Sequence, residues 1–187
     1  MSRLSLAVLM VLMLVTAGLA AAANVAIPLN GQQPVLQVTQ DSKSGLDFHV
    51  EVGRLEAMDV GTKGGVFTRL MIPGFHSSMT EGAPELPMMN RMIAIPVGAE
   101  PTVQVRNVVT RRIKLADFGV AAPIMPAQPS MSKSADPAQV PFVYDTRAYA
   151  KAAVGGDAAR VVRQGRMRAM EIGRLELSPV TYFPATN

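Results

Sequence analysis

Prolines and glycines stand at both ends of the short apolar runs in this chain, and that punctuation limits what it can fold into. From Glu81 the sequence reads EGAPELPMMNRMIAIPVGAEP. Proline fixes φ and has no backbone donor, so Gly82, Ala83, Pro84, Glu85, Leu86 and Pro87 can neither continue a helix nor lie in a central strand. They form a turn or an extended edge. Residues 88–95 then carry the apolar content of a short buried strand, which Pro96, Val97, Gly98, Ala99, Glu100 and Pro101 stop.

Elsewhere the apolar period is two. Leu46, Phe48, Val50 and Val52 alternate with Asp47, His49 and Glu51, placing the apolar set on one face of a strand. Gly61, Gly64 and Gly65 supply a turn, so residues 58–72 read as a hairpin ending at Pro73 and Gly74. Residues 102–115 alternate again through Val103, Val105 and Val109 and are expected to pair with 88–95. Prolines at 123, 126, 129, 137 and 141 mark residues 119–141 as an exposed connection. Residues 142–153 read as a strand or a short helix ended by Gly155 and Gly156. Residues 166–177 return to strand, with Gly173 as a candidate bulge, before the corner 179–184. Short strands between such corners, with no long amphipathic helix, predict an all-β fold. The expected form is an antiparallel, jelly-roll-like β-sandwich preceded by a signal-peptide helix.

Residues 1–23 have a positive start, an apolar stretch and a run of alanines, the features of a cleaved export signal. An uncleaved anchor is the alternative, since residues 4–23 are just long enough to span a bilayer. The domain expected to fold is 24–187. It follows a strand and a proline corner to an abrupt end with no polar tail, which suggests C-terminal truncation of a longer reading frame. The protein is expected to be exported, whether secreted, periplasmic or held at the cell surface, and free of the membrane after signal cleavage. It has no cysteine, which excludes a thiol nucleophile, thiolate metal sites and attachment of lipid to a cysteine. The net charge is +4, and basic residues predominate between 147 and 174. Six phenylalanines, three tyrosines and no tryptophan are too few to interleave with those charges for nucleic-acid stacking.

No catalytic grouping emerges. His49 lies on the polar face of its strand, where a solvated role is simplest. His76 adjoins Ser77 and Ser78, but no Gly-x-Ser-x-Gly elbow exists, and adjacency in sequence is not triad geometry. Asp136, Asp145 and Asp157 lack calcium-loop spacing, and there is no phosphate-binding glycine-lysine loop, so neither metal nor cofactor is expected. Met71, Met88, Met89 and Met92 fall in expected strands, where core packing is their ordinary use.

Four motifs in order resemble the N-terminal propeptide of gingipain-type (C25) cysteine peptidases. They are 70–74 with Pro73 and Gly74, 82–87 with Gly82, Pro84, Leu86 and Pro87, 95–99 with Pro96 and Gly98, and 178–184 with Pro179, Tyr182 and Pro184. Phe183 departs from the asparagine the family usually has there. The resemblance implies a β-sandwich prodomain, not an enzyme itself, that assists folding of a cysteine peptidase domain and inhibits it as a zymogen, in cis or in trans. In the family a basic residue blocks the specificity pocket. Arg147, Lys151, Arg160 and Arg163, around Gly155 and Gly156, are the candidates here, with Arg160 or Arg147 preferred. The rival reading is a free-standing extracellular β-sandwich that binds a surface glycan or protein on an aromatic platform.

Overall fold

A computed structural model describes residues 24–29, 35–42 and 45–186 of the chain; the anticipated signal segment lies outside them. The strands are β1 (Asn24–Pro28), β2 (Val35–Ser42), β3 (Gly45–Glu51), β4 (Arg54–Thr62), β5 (Gly65–Met71), β6 (His76–Ser77), β7 (Pro87–Ile95), β8 (Ala159–Met167) and β9 (Met170–Leu177). They form three antiparallel groups with orders β1-β4-β5, β2-β3 and β6-β7-β9-β8. The fold is an all-β sandwich.

The β4–β5 hairpin turns at Lys63 and Gly64, with Thr62 facing Gly65. Gly65 has φ +118°, a backbone state an L side chain resists, which is why glycine stands there. On β3, Leu46, Phe48 and Val50 are more buried than Asp47 and His49, as the alternation requires. Phe48 and Val50, joined by Leu36 of β2, pack on Met89, Leu175 and Leu177 of the β7–β9 pair.

A second core lies over β1-β4-β5. Ile27, Leu55, Ala57, Leu70 and Ile72 face Leu86, Leu115, Val120, Ile124 and Tyr182, all contributed by segments outside the strands. Those covering segments are fixed by backbone bonds. Thr68 N donates to Pro123 O at 2.8 Å and Met125 N to Thr68 O at 2.7 Å. Glu85 N donates to Met125 O at 2.8 Å and Ala127 N to Ala83 O at 2.9 Å. Pro84 and Pro126 lie opposite each other in this bridge, at positions where no N–H is required.

Several expectations change. Residues 102–114 are not a strand, and β7 pairs with β9 over Met89–Ile95 instead, so that edge is occupied. Residues 120–127 of the supposed exposed connection belong largely to the core; only 130–139 is mainly exposed. Strand β8 was not anticipated, and it makes 159–177 a hairpin. The bulge falls between Arg163 and Gly165, not at Gly173. Gly173 is instead a packing requirement, because a Cβ there would stand 2.7 Å from Ile95 Cδ1 and 3.0 Å from Val161 Cγ1. Residues 142–153 contain a one-turn helix α1 (Thr146–Tyr149), capped by the Asp145 carboxylate accepting from Arg147 N at 2.9 Å. Met89 is core, but Met92 is 61% exposed, because alternation turns it away from the β2–β3 cover.

Candidate functional site

The glycine and proline motifs occupy working positions in this frame. Gly74 (φ +82°) follows Pro73 in a turn closed by Phe75 N donating to Ile72 O at 2.9 Å. Gly98 (φ +77°) follows Pro96 in a turn closed by Ala99 N on Pro96 O at 3.0 Å. Gly82 has φ +75°, and a Cβ there would meet Asp145 N at 2.9 Å. Its own N–H reaches Ala127 O at 2.8 Å and its carbonyl accepts from Asp145 N at 2.9 Å, so one residue joins three segments. Leu86 is buried and Pro87 opens β7. Tyr182 is buried between Pro179 and Pro184, exchanging two backbone bonds of 2.7 Å with Val154.

The four basic candidates divide in two. Arg160 and Arg163 belong to β8 rather than to a loop. Arg160 Nε binds Glu176 Oε2 at 2.6 Å, while Arg174 Nη2 binds Glu176 Oε1 at 2.6 Å. Glu176 is only 3% exposed. Burial pushes its carboxyl up, but hydrogen bonds and charge from the two guanidinium groups outweigh that and hold it below the usual carboxylate range. Arg163 is shared among Glu171 (2.6 Å), Glu100 (3.1 Å) and Ala99 O (2.6 Å). Both side chains are thus drawn onto their own sheet. Arg147 and Lys151, on and just after α1, are exposed, and neither side chain makes an ion pair among the described residues.

A further basic element was missed because its alternation imitates a strand. Residues 104–112 are all exposed, and Val109 is 96% exposed. Among the described residues no backbone–backbone hydrogen bond involves 102–113. Side chains alone tether the segment: Arg106 lies 4.0 Å from Asp47, Arg111 Nη1 donates to Pro28 O at 3.1 Å, and Arg112 stands 5.1 Å over the Phe183 ring. Asn107 takes φ +54°, breaking the run into two extended arms. The readable signal was the pair of prolines, 96 and 101, just ahead of it together with Arg106, Arg111, Arg112 and Lys114.

His76 and Ser78 serve the fold. His76 Nε2 lies 3.1 Å from Asn90 Nδ2. Ser78 Oγ accepts from Leu86 N at 3.0 Å and donates to Pro84 O at 3.4 Å, closing the corner ahead of β7. No cluster among the described residues could hold a metal ion. Most aromatic residues face inward. Tyr144 stacks on Tyr149 at 4.3 Å, Phe67 lies 5.4 Å from Phe142, and Tyr149 Oη donates to Ile124 O at 2.5 Å.

An antiparallel sandwich closed by proline corners, with a loosely tethered basic strap on its surface, is the architecture of a β-sandwich module. Residues 27–187 match the Propeptide_C25 model, and the chain belongs to that family. It is 40% identical to Lys-gingipain of Porphyromonas gingivalis over 150 residues, 80% of this chain and 9% of the relative. Lys-gingipain HG66 is 38% identical over 167 residues, 89% of this chain and 10% of that protein. The chain therefore spans about a tenth of the length of these curated relatives, and what it matches is a propeptide rather than a peptidase domain. A solved structure described as giving insight into zymogenic latency of gingipain K from Porphyromonas gingivalis superposes with a TM-score of 0.80 at 37% identity. It covers 88% of this chain and 91% of that one. The complex of Porphyromonas gingivalis RgpB pro- and mature domains shares the fold, with a TM-score of 0.69 at 20% identity over 83% and 78% of the two chains.

Proposed function

We propose that this chain is an exported prodomain that assists folding of a gingipain-type cysteine peptidase domain and holds it latent, in cis or in trans. The observation that carries the reading is the propeptide match across 27–187, together with the likeness to a structure concerned with zymogenic latency. The apolar, alanine-ended N-terminus supports export. The contact with the peptidase is a basic side chain entering an acidic specificity pocket, where a guanidinium makes two parallel charge-assisted hydrogen bonds to a carboxylate.

Of the sequence candidates, Arg147 and Lys151 suit that role better than Arg160 and Arg163, whose charges are already matched within the sheet. The strap at 104–112 suits it better still. A pocket takes an extended segment whose backbone has no prior hydrogen bonds, and Arg106, Arg111 and Arg112 are carried on one. The test is inhibition of a gingipain-type peptidase by the folded domain, repeated with alanine at each of Arg106, Arg111, Arg112, Arg147, Lys151, Arg160 and Arg163. Loss of inhibition of roughly tenfold or more at one strap arginine is expected, as about 1.4 kcal/mol or more of binding would give. Unchanged inhibition across the whole set would refute the basic-anchor reading, and no inhibition by the parent domain would refute the function itself. Glycan binding on an aromatic platform is disfavoured because Phe67, Tyr149 and Tyr182 are committed to the interior.

A further inference from the structure

Residues 129–142 leave and rejoin the sandwich at one point. The Gln128 side chain closes that neck, accepting from Val143 N at 3.0 Å and donating to Val143 O at 2.9 Å and Pro126 O at 3.0 Å. On the return side, Phe142 lies over Gly64, where a Cβ would collide with the ring. A compact surface loop with joined ends of this size is an Ω-loop. Its interior holds no apolar cluster. At its centre instead is an ammonium from the β4–β5 turn: Lys63 Nζ donates to the carbonyls of Pro137, Ala138 (2.8 Å) and Val140 (3.0 Å). An ammonium has three N–H groups, and all three are used. The carbonyls converge because Asp136 folds the chain back, its carboxylate accepting from Ala138 N at 2.8 Å and its carbonyl from Gln139 N at 3.0 Å.

We propose that Lys63 is the cation that latches this surface Ω-loop, and that neutralising its charge opens 130–141 while the Gln128–Val143 neck and the sandwich stay closed. Three oxygen dipoles aimed at one point repel each other unless a charge lies between them, so the loop's closed form depends on that ammonium. Arginine cannot substitute, since its planar fork does not converge three bonds onto carbonyls arranged around one nitrogen. The loop also presents the exposed Lys133 between Ser132 and Ser134, so opening changes access to that residue first. The proposal stands independently of peptidase inhibition.

The test compares wild type with Lys63→Met and Lys63→Arg. Lysyl endopeptidase cleavage of the Lys133–Ser134 bond is followed by mass, and hydrogen exchange is recorded across the chain. Both variants should be cut at Lys133 about fivefold to tenfold faster, as loss of roughly one ordinary hydrogen bond's net contribution implies. Exchange at 135–140 should rise while β7 and β9 keep wild-type protection. Unchanged cleavage and exchange would overturn the latch, and so would a protection loss spread evenly over β7 and β9, which would make Lys63 a general stabiliser. Restored protection in Lys63→Arg would overturn the requirement for an ammonium.

Discussion

Residues 101–114, with a proline only at the start, and 119–129, with prolines at 123, 126 and 129, have exchanged the roles their sequences advertise. The first alternates like a strand and lies outside as far as Arg112, bound by three side-chain tethers, with Ile113 packed against the core at its end. The second is broken by prolines at 123, 126 and 129 and supplies Ile124, which is fully buried. What separates them is where backbone groups find partners. Thr68, Ala83 and Glu85 meet the second segment at Pro123 O, at both backbone groups of Met125 and at Ala127 N. The edge of β7 that the first segment would have used belongs to β9. Burial follows backbone satisfaction more closely than apolar content.

That contrast breaks if Ile124 matters no more than Val109. Ile124→Ala should cost about 4 kcal/mol in urea unfolding, the upper part of the range for emptying a fully buried aliphatic site. Gly82→Ala tests whether the clasp between the 119–129 segment and Asp145 is as tight as the backbone implies. It should cost about 2 kcal/mol, because the new Cβ meets backbone rather than a side chain that can move, at positive φ.

Tyr149→Phe removes the phenol that donates to Ile124 O, for about 1 kcal/mol. Its pH signature is specific. Burial first, then the nearby Tyr144, Tyr182 and Glu85, push the Tyr149 phenol well above its ordinary 10.0. A raised acid is held neutral by folding, so its contribution is complete below 10.0 and is lost as pH climbs beyond that towards the folded-state value. The variant should therefore lose stability less steeply above pH 10, measured by unfolding at a series of alkaline pH values. Smallest of all, Val109→Ala should change stability by no more than about 0.5 kcal/mol, since the side chain is almost wholly in solvent. A larger loss would show that the strap is packed after all.

The legible parts of the fold were those that local chemistry settles. Gly64 and Gly65 fix the β4–β5 turn, alternation from Leu46 to Val50 fixes the face of β3, and the corners around Pro87 and Pro96 bound β7. Strand β8 was hidden because Arg160, Arg163 and Arg166 look like a solvated run until Glu176 and Glu171, from the next strand, are set beside two of them. The burial of 119–129 was hidden for the same reason: its partners at Thr68 and Ala83 are more than forty residues away in sequence. The strap's basic residues could be counted from sequence, but their availability depends on which strand takes the β7 edge, a competition no local pattern records.

Tyr182 bears on the order in which the molecule can be completed. It closes the core over Ile27, Leu55 and Ile124, and its backbone pairs with Val154. A domain made N-terminus first therefore keeps one half of its interior open to water until Tyr182 arrives, and long-range closure of that kind is slow. Until then the hairpins can form, but the finished surface cannot, so whatever recognises this domain meets it only after residues 178–184 have joined the core.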